Sequence, residues 1–179
     1  HIGGVTPEAE IVLRAAAIAQ KNTGVPISCH SYAPERVGLR QLEILLSDGV
    51  DPSRIYIGHS DDSNDMDYLT SIVEAGAWIG FDHLNFGHRE GALTLDERLV
   101  NLTRLLGYGH LGKVLLGQDW AVNMPALGSE LLREREHFNP HGYQFVSKVV
   151  LPKLLKSGVD MSAIEQITVV NPRNFLNPA

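Results

Sequence analysis

Ile55-Tyr-Ile-Gly-His59 is a short apolar run that stops on an imidazole, and its reading decides the fold. A run this short, without the 3.6-residue alternation of a surface helix, reads as a strand buried on both faces. Three more segments repeat the arrangement: Val25-Pro-Ile-Ser-Cys-His30, Trp78-Ile-Gly-Phe-Asp82-His83 and Val114-Leu-Leu-Gly-Gln-Asp119. Each ends in a side chain able to hold a metal or move a proton. In a β/α barrel the chemistry sits at the C-terminal ends of the parallel strands. Four successive strands ending in His, His, Asp-His and Asp therefore read as one wall of a metal-dependent active site.

Between these strands the sequence carries helix signals. Thr6-Pro7 is an N-cap followed by proline at the first helical position, and Ile11, Ala15, Ile18 and Ala19 follow with helical spacing. A second helix is expected from about Glu35 to Asp48, with Leu39, Leu42 and Leu46 inward and Gly49 as its stop. Ser63 is the expected cap of a third, which carries Met66, Leu69, Ile72 and Val73 on one face. Thr94-x-x-Glu97 is a capping-box signature ahead of a fourth. The tail reads as a helix from Tyr143 to Lys156 bent at Pro152, then short helices near Met161–Ile167 and after Asn171-Pro172. Strands alternating with helices through right-handed crossovers make a parallel sheet with helices outside. Four such strands form either a flavodoxin-like sheet or half of a barrel. Convergence of the strand ends on one point favours the curled sheet, so the expected fold is α/β, four βα units of a TIM-type barrel, as a single domain over residues 1–179.

Composition sets the outer bounds. The chain has 179 residues, 44% hydrophobic and 20% charged, which is enough for one core and short for an eight-fold barrel. Net charge is −6 and no Lys/Arg stripe is visible, so a nucleic-acid partner is not expected. No apolar run approaches the roughly 18 residues of a spanning helix, so no membrane partner is expected either. The single Cys29 excludes an internal disulfide and leaves the compartment open, with the cytoplasm as the working expectation.

His30 and His59 lie about one βα unit apart, so neighbouring strands present both imidazoles to the same spot. Imidazole plus carboxylate suits zinc and related divalent metals, which makes His30, His59 and Asp119 the expected ligand set. Asp82 and His83 are read as acid–base groups next to it. Trp120, with Asn85 and Phe86, is read as lining a substrate pocket. Asp61-Asp62 and Asp65-Asp67 read as an acidic loop and first helical turn, Cys29 as core, and His88, His110, His137 and His141 as solvated.

These residues also carry a resemblance. Thr23-Gly-Val-Pro-Ile-Ser-Cys-His30, Ile57-Gly-His-Ser-Asp-Asp62, Ile79-Gly-Phe-Asp-His83, Gly117-Gln-Asp-Trp120 and Ile167-Thr-Val-Val-Asn-Pro172 resemble the phosphotriesterase-like family of the amidohydrolase superfamily, in order and over essentially the whole chain. The resemblance implies a barrel with two divalent metals (zinc, or iron, cobalt or manganese) that hydrolyses phosphotriester, lactone or related ester bonds of a small molecule. It implies that His30 and His59 bind one metal, that Asp119 binds the other and accepts a proton, that Asp82 and His83 pass this proton outward, and that Trp120 edges the pocket. Lactonase-type relatives commonly carry Arg where His83 stands, which leans this chain towards phosphotriesters. The family's His-x-His pair and bridging lysine have no counterpart here, so the chain corresponds to strands five to eight, with the N-terminal half-barrel as its missing partner. Two open sheet edges on a lone half would also favour association, as a homodimer for instance. The alternatives are a catalytically inactive half-barrel that only binds metal or a partner half, and a flat doubly wound binding domain.

Overall fold

The computed structural model describes residues 2–87, 90–120, 133 and 136–177. Four strands, β1 (Ile27–Cys29), β2 (Ile55–Ile57), β3 (Trp78–Phe81) and β4 (Val114–Leu116), form one parallel sheet in the order β1-β2-β3-β4. All four are the runs read as strands from sequence, trimmed to their cores. The helices that connect and follow them are α1 (Pro7–Thr23), α2 (Val37–Ser47), α3 (Met66–Glu74), α4 (Leu95–Gly107), α5 (Leu151–Lys156), α6 (Met161–Glu165) and α7 (Asn171–Leu176). Among the described residues the architecture is α/β with sequential parallel strands.

Strand alternation divides the sheet into two faces. Ile55, Ile57, Ile79, Phe81 and Val114, all fully buried, face the helices and join Tyr68, Leu69, Ile72, Leu102 and Leu105 in the main core. The opposite face carries Tyr56, Trp78 and Leu115, covered near its lower end by Phe175 of α7. Cys29 is 5% exposed and points into the main core, as alternation from His30 requires. Burial pushes its thiol up to about 12.

Local signals account for most boundaries. Thr6 accepts a hydrogen bond from the Ala9 N–H, and Gly24 ends α1 in the left-handed region. Thr94 and Glu97 form the complete capping box of α4. The cap of α3 differs from expectation: Asp65 accepts from the Tyr68 N–H, while Ser63 supports the Asp65 N–H one step earlier. Near each tail proline the helix widens. Five-residue π-helical stretches, Val146–Val150 and Gln166–Val170, precede Pro152 and Pro172, so helical backbone runs on through both prolines. A π turn relieves the clash of the ring with the preceding carbonyl. The two short helices expected at 161–167 and after 171 are thus one helical run. Buried Asn171 ties it to the sheet by donating to the Leu111 and Val114 carbonyls, at 2.8 and 2.7 Å.

α1 is the exception to inward-facing apolar periodicity. Its spaced stripe of Ile11, Ala15, Ile18 and Ala19 faces solvent, with Ile11 69% and Ile18 59% exposed. Ala17 and Gln20 are its buried residues, with Leu13 packed beside them. Among the described residues no helix is long and apolar enough to cross a membrane.

Candidate active site

The residues read from the strand ends meet at one end of the sheet. His59 follows β2 by two residues and has φ 57°, a left-handed conformation unusual for a side chain other than Gly or Asn. The cost is offset because its N–H donates to Asp82 Oδ1 at 2.7 Å while its Nδ1 meets the same oxygen at 2.9 Å. A carboxylate there is acceptor-only, so the hydrogen of His59 sits on Nδ1 and Nε2 presents a lone pair. That lone pair faces His30 Nδ1 at 2.9 Å, with the rings edge to face. Burial, then the positive potential of His59 and His83, holds His30 below its ordinary pKa and favours the neutral, ligand-competent ring.

His83 stacks on His59, with ring centroids 3.7 Å apart. Its Nδ1 lies 2.7 Å from Asp62 Oδ2 and its Nε2 3.5 Å from Asp119 Oδ2. Burial works against a charge on this ring, but hydrogen bonds to Asp119 and Asp62 overcome it and raise His83 to about 9. Asp119 is in turn held below the usual carboxylate range, chiefly by His83. It too has positive φ, 43°. Among the described residues, two of the three non-glycine residues with left-handed backbone are therefore site residues. Such conformations persist only where the surroundings over-determine them.

Beneath the histidines lies a buried charge cluster that sequence reading missed. Asp61, read as part of an exposed acidic loop, is fully buried. Its Oδ1 accepts from the Asp82 and His83 N–H groups, each at 3.1 Å. Arg98, also fully buried, donates to Asp61 Oδ2 at 3.0 Å and to Asp62 Oδ1 at 2.7 Å. One guanidinium thus holds both acids, and through them the backbone of β3's end and the imidazole of His83. In sequence Arg98 looks like an ordinary solvent-facing charge on an amphipathic helix. The available signal was two consecutive acids directly after His59-Ser60.

The donor set fits a divalent metal. Two nitrogens on one tetrahedral zinc sit roughly 3.3 Å apart, so His30 Nδ1 and His59 Nε2 already point at a shared position. The carboxylate behind His59 is the usual support of a metal-binding imidazole. Among the described residues, however, no group of three or more His, Cys, Asp or Glu side chains closes around a single point.

The model of the phosphotriesterase family matches residues 1–176. The chain belongs to the phosphotriesterase family. A phosphotriesterase homology protein of Mycobacterium tuberculosis is 37% identical over 172 residues, 96% of this chain and 51% of that protein. An aryldialkylphosphatase of Saccharolobus solfataricus is 33% identical over 175 residues, 97% of this chain and 54% of its own length. A phosphotriesterase homology protein of Escherichia coli is 30% identical, again over 97% of the chain. The chain spans about half the length of the curated relatives it matches.

In this member of the phosphotriesterase family the reading of Asp82 changes. Asp82, expected beside His83 in proton transfer, instead grips His59 and the Tyr56 hydroxyl, because strand alternation turns it to the side away from His83. The partner of His83 is Asp62. Phe86 and Asn85 are 3% and 7% exposed; Asn85 lines a small groove with Leu84, Leu95 and Phe145, and the Phe86 ring packs on His83. Trp120 is half-buried, with its indole edge close to Gly142. His88 and most of the Trp120–Pro140 segment lie outside the described residues.

Proposed function

We propose that the chain is the C-terminal half of a binuclear metal-dependent hydrolase that cleaves phosphotriesters or closely related esters. The observation that carries this reading is the convergence of His30, His59, His83 and Asp119 at one end of the sheet, with His30 Nδ1 and His59 Nε2 2.9 Å apart. The aryldialkylphosphatase among the relatives supports the phosphotriester over the lactone. Divalent metals bound there would supply a hydroxide nucleophile at neutral pH and polarise the scissile oxygen.

The chain's own residues divide the remaining work. His30 Nδ1 and His59 Nε2 would hold one metal, and Asp119 would offer a carboxylate to the other. Asp82 keeps His59 in the Nδ1–H tautomer. Asp119 Oδ2 takes up the proton released on attack and passes it to His83 Nε2 when His83 is neutral, with its hydrogen on Nδ1 facing Asp62. His83 then yields its Nδ1 proton to Asp62 Oδ2, whose side chain is 27% exposed and opens to water. Arg98 keeps Asp62 in place during the transfer.

The outward stripe of α1 supports a partner half. Ile11, Val12 and Ile18 are exposed beside a groove of about 500 Å³, lined by Val12, Leu13, Ile27, Cys29 and His30, along the open edge of β1. A preceding strand and helix of the same barrel would pair with that edge and cover the stripe, bringing the remaining ligands.

The test uses a protein with both halves, elemental analysis and rates on a phosphotriester and a lactone. His59→Ala and Asp119→Ala should each lose metal and most turnover. His83→Ala and Asp62→Asn should keep the metals and lose about 10²- to 10⁴-fold in rate, the usual range for acid–base help. Loss of metal in His83→Ala as complete as in Asp119→Ala would make His83 a ligand and end the relay. Full metal content and turnover in His59→Ala would end the reading of His59 as a ligand, and an unaltered protein with neither metal nor turnover would leave an inactive, associating half-barrel as the better reading.

A further inference from the structure

On the metal reading given above, we propose that Tyr56 is a positioning residue for His59, acting through Asp82 and seated on a floor of three glycines. Tyr56 lies mid-strand between Ile55 and Ile57, which face the helices, so alternation turns its ring to the opposite face of the sheet. Its hydroxyl donates to Asp82 Oδ2 at 2.5 Å. The Asp82 carboxylate is thereby divided: one oxygen belongs to Tyr56, the other to the N–H and Nδ1 of His59. Without the phenol, rotation about the terminal bond of Asp82 is soft, since such torsions are broad. A swivelling carboxylate no longer selects one imidazole tautomer.

The glycines make this arrangement a built one. Gly58, Gly80 and Gly117 follow or occupy three adjacent strands, and none has the left-handed φ that would itself call for glycine. Space does. A Cβ on Gly80 would overlap the Tyr56 hydroxyl, and one on Gly117 would lie 2.8 Å from Asp82 Cβ. One on Gly58 would crowd both partners at 3.2 Å, touching Asp82 Oδ2 and Tyr56 Cε1. The recurrent glycine ahead of the strand-end acid or imidazole in three of the four runs is thus the room that the Tyr56–Asp82 pair occupies. On the far side the phenol ring packs against Phe175, with centroids 5.9 Å apart.

The experiment reads the imidazole directly. In the 179-residue chain without metal, nitrogen NMR should find His59 as the Nδ1–H tautomer alone. Tyr56→Phe, which keeps the ring and its contact with Phe175, should yield a mixture of both tautomers. In the same variant the affinity for Co(II) should fall about tenfold, the low end of the effect of groups behind a ligand. Gly80→Ala, which displaces the hydroxyl with the tyrosine still present, should reproduce the mixture. A plain loss of packing would lower the melting temperature and leave the tautomer pure. Unchanged tautomer and unchanged Co(II) affinity in Tyr56→Phe overturn the proposal. Should that variant not fold, the unaltered chain decides: a Tyr56 hydroxyl proton protected from exchange supports the role, and one exchanging as freely as a surface tyrosine's refutes it. Failure of the unaltered chain to take up Co(II), in isolation or with its partner half, would count against the metal reading, while the tautomer comparison would still judge Tyr56.

Discussion

Arg98→Met tests whether the charge cluster under the histidines is a structural keystone. The substitution keeps an unbranched apolar stem on α4 and removes the guanidinium. Asp61, fully buried, would then be left with only backbone N–H partners, and Asp62 would lose its 2.7 Å contact. Removing one partner of a buried pair costs about 3–5 kcal/mol, because the surviving charge stays out of water. Against a total stability of about 5–15 kcal/mol for a domain, that is a large share. At roughly 2–4 °C per kcal/mol for a chain of this size, the midpoint should fall by about 6–20 °C. The assay is thermal and urea unfolding beside Arg14→Met, which breaks ion pairs of similar length on the surface and should shift the midpoint far less. Adding Asp61→Asn to Arg98→Met should recover most of the loss, since the fully buried charge that Arg98 neutralised is then gone and the amide oxygen still accepts from the Asp82 and His83 N–H groups. The pH dependence supplies a second arm. Burial, then Asp82, lifts the Asp61 carboxyl to about 6, above its unfolded value. The folded state therefore binds the extra proton, so this group's destabilising effect is present above pH 6 and fades as pH falls towards 4. Without Arg98 the carboxyl rises further, so the Arg98→Met deficit should shrink as pH falls towards 6, where both proteins come to hold the proton. A deficit no greater than that of Arg14→Met, or one indifferent to pH between 4 and 8, would refute the reasoning.

Three further outcomes follow from packing. Cys29 should resist thiol reagents in the native chain and react only on unfolding, since it is 5% exposed and its thiol is pushed up to about 12; labelling at the rate of a free thiol would place it on the surface. Gly38→Ala should cost about 1–3 kcal/mol in urea unfolding, because its Cβ would come within 2.5 Å of Ile57 and Tyr68. Gly107→Ala, at an open helical position, should gain ~0.4–1 kcal/mol, and equal effects at the two glycines would mean that the close approach of α2 to the sheet is wrong. Asn171→Ala should cost about 1–3 kcal/mol by leaving the Leu111 and Val114 carbonyls without their donor, and a neutral result would show that the C-terminal run is not tied to β4 in this way.

The residues themselves determined the strands, their order and the face on which the chemistry collects. Both signals are local: an apolar run of four or five residues can only be a buried strand here, and the residue that ends it projects from the same end as its neighbours once crossovers share one hand. His30, His59, His83 and Asp119 were legible for that reason. Who pairs with whom was not legible, because a hydrogen bond between strands depends on register and on which way each side chain turns at the strand end. Asp82 and His83 are consecutive, yet alternation sends one to His59 and the other to Asp62 and Asp119. Arg98 and Asp61 are far apart in the chain and polar, and nothing in their own neighbourhoods distinguishes a buried pair from two solvated charges. The glycines of the strand ends carried the converse lesson: their spacing was visible, but the volume they leave for Tyr56 and Asp82 exists only when three strands lie side by side. The α1 stripe marks the same boundary. Periodicity revealed an apolar face, and only the fold of this chain decided that the face looks outward, where another surface has to meet it.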